Sequence, residues 1–134
     1  MIYLDTSAIV KVVVTEPESP ALVDWLNDHA DVPLATSVIG HIEVMRAANR
    51  VGPATTAAAG RLLESVDTLV LTDAIVAVAK SIGPPELRTL DAVHLATALE
   101  YRRYIDAVCV YDRRLMEASK AAQLPVVSPG RDQT

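Results

Sequence analysis

Ile2-Tyr3-Leu4-Asp5-Thr6-Ser7-Ala8-Ile9-Val10 sets an apolar run, an acid and two hydroxyl residues in front of a second apolar run. The first run reads as a strand, and Asp5-Thr6-Ser7 leads into a helix over about 8–14. The far end of the chain repeats the arrangement. Ala107-Val108-Cys109-Val110-Tyr111 is an apolar run with a strand over 108–111, Asp112 ends it, and a helix is expected over 113–122.

Working inward, Glu16-Pro17-Glu18-Ser19-Pro20 is a break, and a helix follows over about 21–29. Residues 33–36 read as a short strand. Ser37 is a good N-cap for a helix reaching about 51, where Gly52-Pro53 stops it. A helix is expected over 54–66 and a strand over 68–71. Thr72 caps a helix over 73–82, closed by Gly83-Pro84-Pro85, and Thr89 caps another over about 90–103. A last strand is expected at 126–127. Short apolar strands alternating with longer helices predict an α/β fold, a three-layer sandwich with a mainly parallel central sheet flanked by helices. One domain is expected over 1–128, with a frayed tail over 129–134.

Composition bounds the class. With 134 residues, 51% of them hydrophobic and none of them Phe, the chain can bury one aliphatic core. No apolar stretch approaches a membrane span, and Asp5 interrupts the N-terminus too early for a signal peptide. The single cysteine, Cys109, lies in an apolar strand and reads as a small buried hydrophobe. A cytoplasmic protein is expected. The formal net charge of −5 argues weakly against a nucleic-acid partner. Four acids nominated below account for most of it, and a bound cation would offset part of that.

In open parallel sheets, ligands bind outside the carboxyl ends of the strands. Asp5 and Asp112 both stand there. Glu43 lies on the 37–51 helix, where Ile39, Ile42 and Met45 follow helical spacing and are expected to face the core. Asp91 lies in the first turn of its helix, where negative charge is favourable. Each acid alone has an ordinary explanation: a loop acid for Asp5 or Asp112, a helix-terminal charge for Asp91, a salt bridge for Glu43. If all four converge, they repel. Two charges about 4 Å apart at an effective dielectric of roughly 20 cost about 4 kcal/mol. A hard divalent ion with oxygen ligands, Mg²⁺ or Mn²⁺, would then be required.

Other chemistries lack their residues. No Cys/His cluster suits zinc, no Gly-rich turn presents a serine nucleophile, and no phosphate-cradling Gly-x-x-x-x-Gly-Lys loop occurs. His94, three residues after Asp91, is either a general base or a core histidine bonded to backbone. Thr6 and Ser7 are hydroxyls beside Asp5, placed to support a carboxylate or to cap a helix. Lys11, Arg46, Arg113 and Arg114 are candidates for holding backbone phosphates, against ordinary surface charge or carboxylate pairing.

The segments 2–10, 37–43, Leu90-Asp91-Ala92-Val93-His94-Leu95-Ala96-Thr97-Ala98 and Val110-Tyr111-Asp112-Arg113-Arg114-Leu115 together resemble the PIN-domain family, and within it the small VapC-type toxins. The resemblance spans about 1–128. It departs at Val110, where many relatives carry a hydroxyl residue. It implies a Mg²⁺- or Mn²⁺-dependent endoribonuclease, with Asp5, Glu43, Asp91 and Asp112 as metal ligands and catalytic acids. Water activated by the metal would attack in line and leave a 5′-phosphate. It further implies an RNA substrate, a VapB-type antitoxin that blocks the site, and a homodimer. Two alternatives stay open: a metal-dependent nuclease or phosphatase for another substrate, and a non-catalytic module on the same fold.

Overall fold

Ile2, Tyr3 and Leu4 are each about 1% exposed, so the first strand is covered on both faces. That is what an apolar run without alternation requires of a parallel sheet. A computed structural model of the chain describes residues 1–131. The sheet holds β1 (Ile2–Leu4), β2 (Leu34–Ser37), β3 (Val66–Leu69), β4 (Ala107–Cys109) and β5 (Val126–Val127), in the order β3-β2-β1-β4-β5. Every pairing is parallel.

Alternation along the strands divides the interior in two. Ile2, Leu4, Ala107 and Cys109 point to one side. There they meet Ala8 and Ile9 of α1 (Thr6–Val13), Leu22 of α2 (Ser19–Asp28), Val44 and Ala48 of α3 (Val38–Val51), and Ala59 and Leu63 of α4 (Pro53–Glu64). Tyr3, Val108 and Val110 point to the other. They meet Leu95 and Ala98 of α6 (Thr89–Glu100) and Leu115 and Ala118 of α7 (Arg113–Ala121). The remaining helix, α5 (Asp73–Ala79), packs chiefly on α6. Three layers result, as the alternation of elements predicts.

Strand order reverses between β1 and β4. The chain steps outward from β1 through β2 to β3, then returns to the far side of β1. Such a switch point opens a crevice at the carboxyl ends of the two central strands. Leu4 is in register with Cys109, so Asp5 and the segment leading to Asp112 leave the sheet side by side.

Several boundaries differ from expectation. The strand expected over 68–71 begins at Val66, because pairing with β2 draws Val66 and Asp67 into the ladder and ends α4 at Glu64. Thr89 does not cap α6: it is the first helical residue, and Arg88 stands at the cap without a side-chain bond. On α3 the buried residues are Gly40, Val44 and Ala48, whereas Ile42 is 51% exposed. Gly40, Val44 and Ala48 lead the contact face there; of the residues expected to face the core, Met45 packs against it and Ile42 turns outward. The tail expected to fray is held at its start. Ser128 Oγ donates to Val110 O at 2.6 Å, and Tyr111 Oη donates to Pro129 O at 2.7 Å. The rest of that tail, 132–134, lies outside the described residues. Among the described residues no helix is long and apolar enough to cross a membrane. Cys109 is a free, fully buried thiol, as its apolar setting predicts.

Candidate active site

Asp5 ends β1 and caps α1 in one step. Its extended backbone turns the chain, and its Oδ1 accepts from Ala8 N at 3.0 Å. Ser7 Oγ donates to the same oxygen at 2.6 Å. Both bonds fall on Oδ1, which leaves Oδ2 for a ligand. The residue is 3% exposed. Burial pushes its carboxyl up to about 6, against the pull of His94, Ser7 and the Ala8 amide, and with a further push from Asp91.

Glu43 arrives from α3, whose start is fixed by Ser37 Oγ accepting from Gly40 N at 3.0 Å. Its Oε1 takes two donors: Thr6 Oγ1 at 2.7 Å and His94 Nε2 at 3.0 Å. Burial raises the Glu43 carboxyl, but these two bonds outweigh it and hold the group below the ordinary glutamate value. His94 is not bonded to backbone, as a core histidine would be. It is 2% exposed, and its Nδ1 lies 2.7 Å from Tyr3 Oη.

Asp91 stands in the first turn of α6, half-buried. Burial raises its carboxyl, and Asp112 and then Glu43 raise it further, while His94 and Arg88 pull it down. Asp112 caps α7, with Oδ1 accepting from Leu115 N at 3.0 Å. Val110, where the resemblance departs, is fully buried in the core on the α6–α7 side.

The four nominated acids therefore share one electrostatic neighbourhood. Asp91 is pushed by Asp112 and Glu43, and Asp5 is pushed by Asp91. They do not form a closed cage: among the described residues no three His, Cys, Asp or Glu side chains stand close enough to hold one metal ion. The donor set is nonetheless that of a hard divalent cation: carboxylate oxygens that repel one another, two of them raised above their ordinary values.

The basic candidates separate. Lys11 is only 8% exposed, and its Nζ bonds Glu18 at 2.9 Å and Glu16 at 3.4 Å. It also lies 4.9 Å from the centre of the Tyr111 ring. Its charge is thus shared with two acids of the fold, and it lines one pocket with Ser7 and Asp112. Arg46 is exposed and lines a shallow groove on α3 with Asn49 and Arg50, one turn beyond Glu43. Arg113 is exposed at the start of α7. Arg114 turns to a different groove, with Pro84, Leu87 and Glu117. Arg131, which carried no signal in sequence, borders Asp112 in a pocket with Ser7 and Tyr111, and its Nη1 donates to Tyr111 O at 2.5 Å. Tyr3 was likewise hidden, inside an apolar run.

Comparison with known proteins agrees with this architecture. Residues 2–121 match the PIN domain family. Ribonuclease VapC47 of Mycobacterium tuberculosis (strain CDC 1551 / Oshkosh) is 41% identical over 133 residues, covering 97% of this chain and 98% of that protein. Ribonuclease VapC35 of the same strain is also 41% identical, covering 98% of each. Among solved structures, FitAB bound to a DNA fragment contains a chain of similar fold, with a TM-score of 0.76, 20% identity and coverage of 100% and 99%. The Mycobacterium tuberculosis VapC20 toxin, described as cleaving the sarcin-ricin loop, gives 0.72, 21% identity and coverage of 96% and 100%. A family match over most of the chain, with relatives this similar over nearly their full length, places the protein in the PIN-domain family, among its VapC-type members.

Proposed function

We propose that the protein is an endoribonuclease, the toxin of a toxin–antitoxin pair, and that Asp5, Glu43, Asp91 and Asp112 hold Mg²⁺ or Mn²⁺. The observation that carries this reading is that Asp5, Glu43, Asp91 and Asp112, carried by the end of β1, α3, α6 and the start of α7, act on one another as like charges beside the switch point of the sheet. The relatives named as ribonucleases support RNA as the substrate. Complexes of similar fold from toxin–antitoxin systems support an antitoxin partner, for which a VapB-type protein is the natural class.

When bound, the ion supplies an activated water and charge neutralisation at the scissile phosphate. The protein's own residues do the rest. Asp5 keeps Oδ2 open because Ser7 and the Ala8 amide engage Oδ1. Glu43 Oε1 is taken by Thr6 and His94, so Oε2 is the oxygen that orients the attacking water and receives its proton. Asp91 and Asp112 complete the acidic wall. Arg46 and Arg113 are the exposed cations placed to meet flanking phosphates. Hydrolysis in line leaves a 5′-phosphate and a 3′-hydroxyl. A homodimer and a cytoplasmic location belong to the same proposal.

The test uses antitoxin-free protein incubated with total RNA and with DNA, in Mg²⁺ and in EDTA, beside Asp5→Asn. The expected result is RNA cut by the wild type in Mg²⁺ alone. Equal cutting in EDTA or by Asp5→Asn overturns the metal mechanism. Cutting of DNA but not RNA points to another nuclease, and inertness towards both points to a binding module.

A further inference from the structure

His94 is buried beside the acids, and the mechanism above uses only its bond to Glu43 Oε1. It comes from the middle of α6, yet all its hydrogen bonds run to side chains of other elements: Tyr3 on β1, Thr6 on α1 and Glu43 on α3. Glu43 Oε1 is an acceptor held at 3.0 Å, and an ionised carboxylate has no hydrogen to give. Nε2 must therefore carry the hydrogen. In the neutral ring Nδ1 then accepts from Tyr3 Oη at 2.7 Å, inside the core. The donors run in one direction, from Tyr3 O–H to Nδ1 and from Nε2–H to Glu43 Oε1, where Thr6 O–H arrives as well at 2.7 Å.

Packing fixes the ring. Gly40 passes directly over it. A Cβ there would meet His94 Cε1 at 3.0 Å and would collide with Thr36 Oγ1. The Tyr3 ring meets the imidazole edge-on, with centroids 5.9 Å apart. The imidazole is thus clamped between β1 and α3, with one nitrogen aimed at a site acid.

We infer that His94 is a positioning residue for Glu43: its Nε2–H, in a tautomer set by Tyr3, pins Oε1 and turns Oε2 towards the site. The inference rests on the reading of Glu43 as a site acid. It adds that the carboxylate is aimed by a histidine and a tyrosine that never touch the substrate. Donors of this kind behind an acid typically matter about 10–100-fold.

The first measurement needs neither metal nor RNA. Nitrogen NMR of the metal-free wild type is expected to find Nε2 of His94 protonated, and Tyr3→Phe to weaken the preference for that tautomer. The second compares His94→Gln, whose terminal amide N–H reaches the same place, with His94→Leu, which fills the space without a donor. His94→Gln should keep Mn²⁺ affinity and kcat within a few-fold of wild type. His94→Leu should lose about 10-fold or more in both, with KM for RNA little changed. An unprotonated Nε2, or equal losses in the two variants at equal folded content, overturns the inference. If the wild type cuts no RNA, the proposed function fails, while the tautomer and the Mn²⁺ comparison still decide the role of His94.

Discussion

Ser7 Oγ donates to Asp5 Oδ1 at 2.6 Å and accepts the backbone N–H of Tyr111 at 3.0 Å. One hydroxyl thereby ties the acid at the end of β1 to the strand end that carries Asp112. Ser7→Ala removes both bonds and leaves the Tyr111 amide without its partner. Unfolding free energy should fall by about 1–3 kcal/mol. Cleavage should fall as well, because Asp5 loses a bond that holds its carboxyl down. Denaturant melts and RNA cleavage on the same preparation check this. Unchanged stability would mean that the hydroxyl is not shared in this way.

Asp5 makes metal-free stability depend on pH. Its folded carboxyl titrates near 6, above the ordinary 3.8. A group raised on folding contributes fully below its unfolded value and loses that contribution as pH climbs through the folded one. Asp91, also raised, has the same sign. Glu43, lowered, has the opposite sign and acts below its ordinary 4.5. Between about pH 4 and about pH 7 the metal-free protein should therefore lose on the order of 2–3 kcal/mol from Asp5. Melts in EDTA should show Tm falling over that range, and Asp5→Asn should flatten the fall.

Asp91 feels Asp112 and Glu43 as like charges. Asp91→Asn should raise Tm of the metal-free protein by a few degrees and abolish RNA cleavage. Saturating Mg²⁺ should stabilise the wild type and should do little for the variant. A lower Tm for the metal-free variant would show that the acids do not repel one another.

Gly40 lets α3 lie against Thr36 and His94. Gly40→Ala places a methyl group where there is no room, in spite of alanine's better helix propensity. It should cost about 1–3 kcal/mol, as overpacking does. Because the strain falls on Thr36 and also presses on His94, RNA cleavage should drop more than folded content measured by circular dichroism.

Lys11 and Arg46 should part company in mutagenesis. Lys11 is buried against Glu16, Glu18 and the Tyr111 ring. Lys11→Ala should lower Tm by ~4 °C or more and leave KM for RNA unchanged. Arg46→Ala on the exposed groove should leave Tm alone and raise KM several-fold, with a weaker dependence on salt. The reverse pattern would reassign the two residues.

Much of this protein was legible because its signals are local. The apolar runs that start at Ile2 and at Ala107 are short and end in the helix-capping acids Asp5 and Asp112, so strand, turn and helix can be read from neighbours in the chain. Asp5 and Asp112 were placed at strand ends by that reading alone, and a parallel sheet brings strand ends together. What the sequence could not determine depends on contacts between distant residues. Ile42 resembles a core residue, yet α3 turns Gly40, Val44 and Ala48 inward, and at Gly40 it lies so close to Thr36 and His94 that no side chain fits. His94 could not be told from an ordinary core histidine, since Tyr3 and Glu43 lie 91 and 51 residues away along the chain. Local order along the chain reveals which backbone forms where. Only the packed fold decides which hydrogen bonds a buried polar group can make, because those partners are chosen by space and not by sequence.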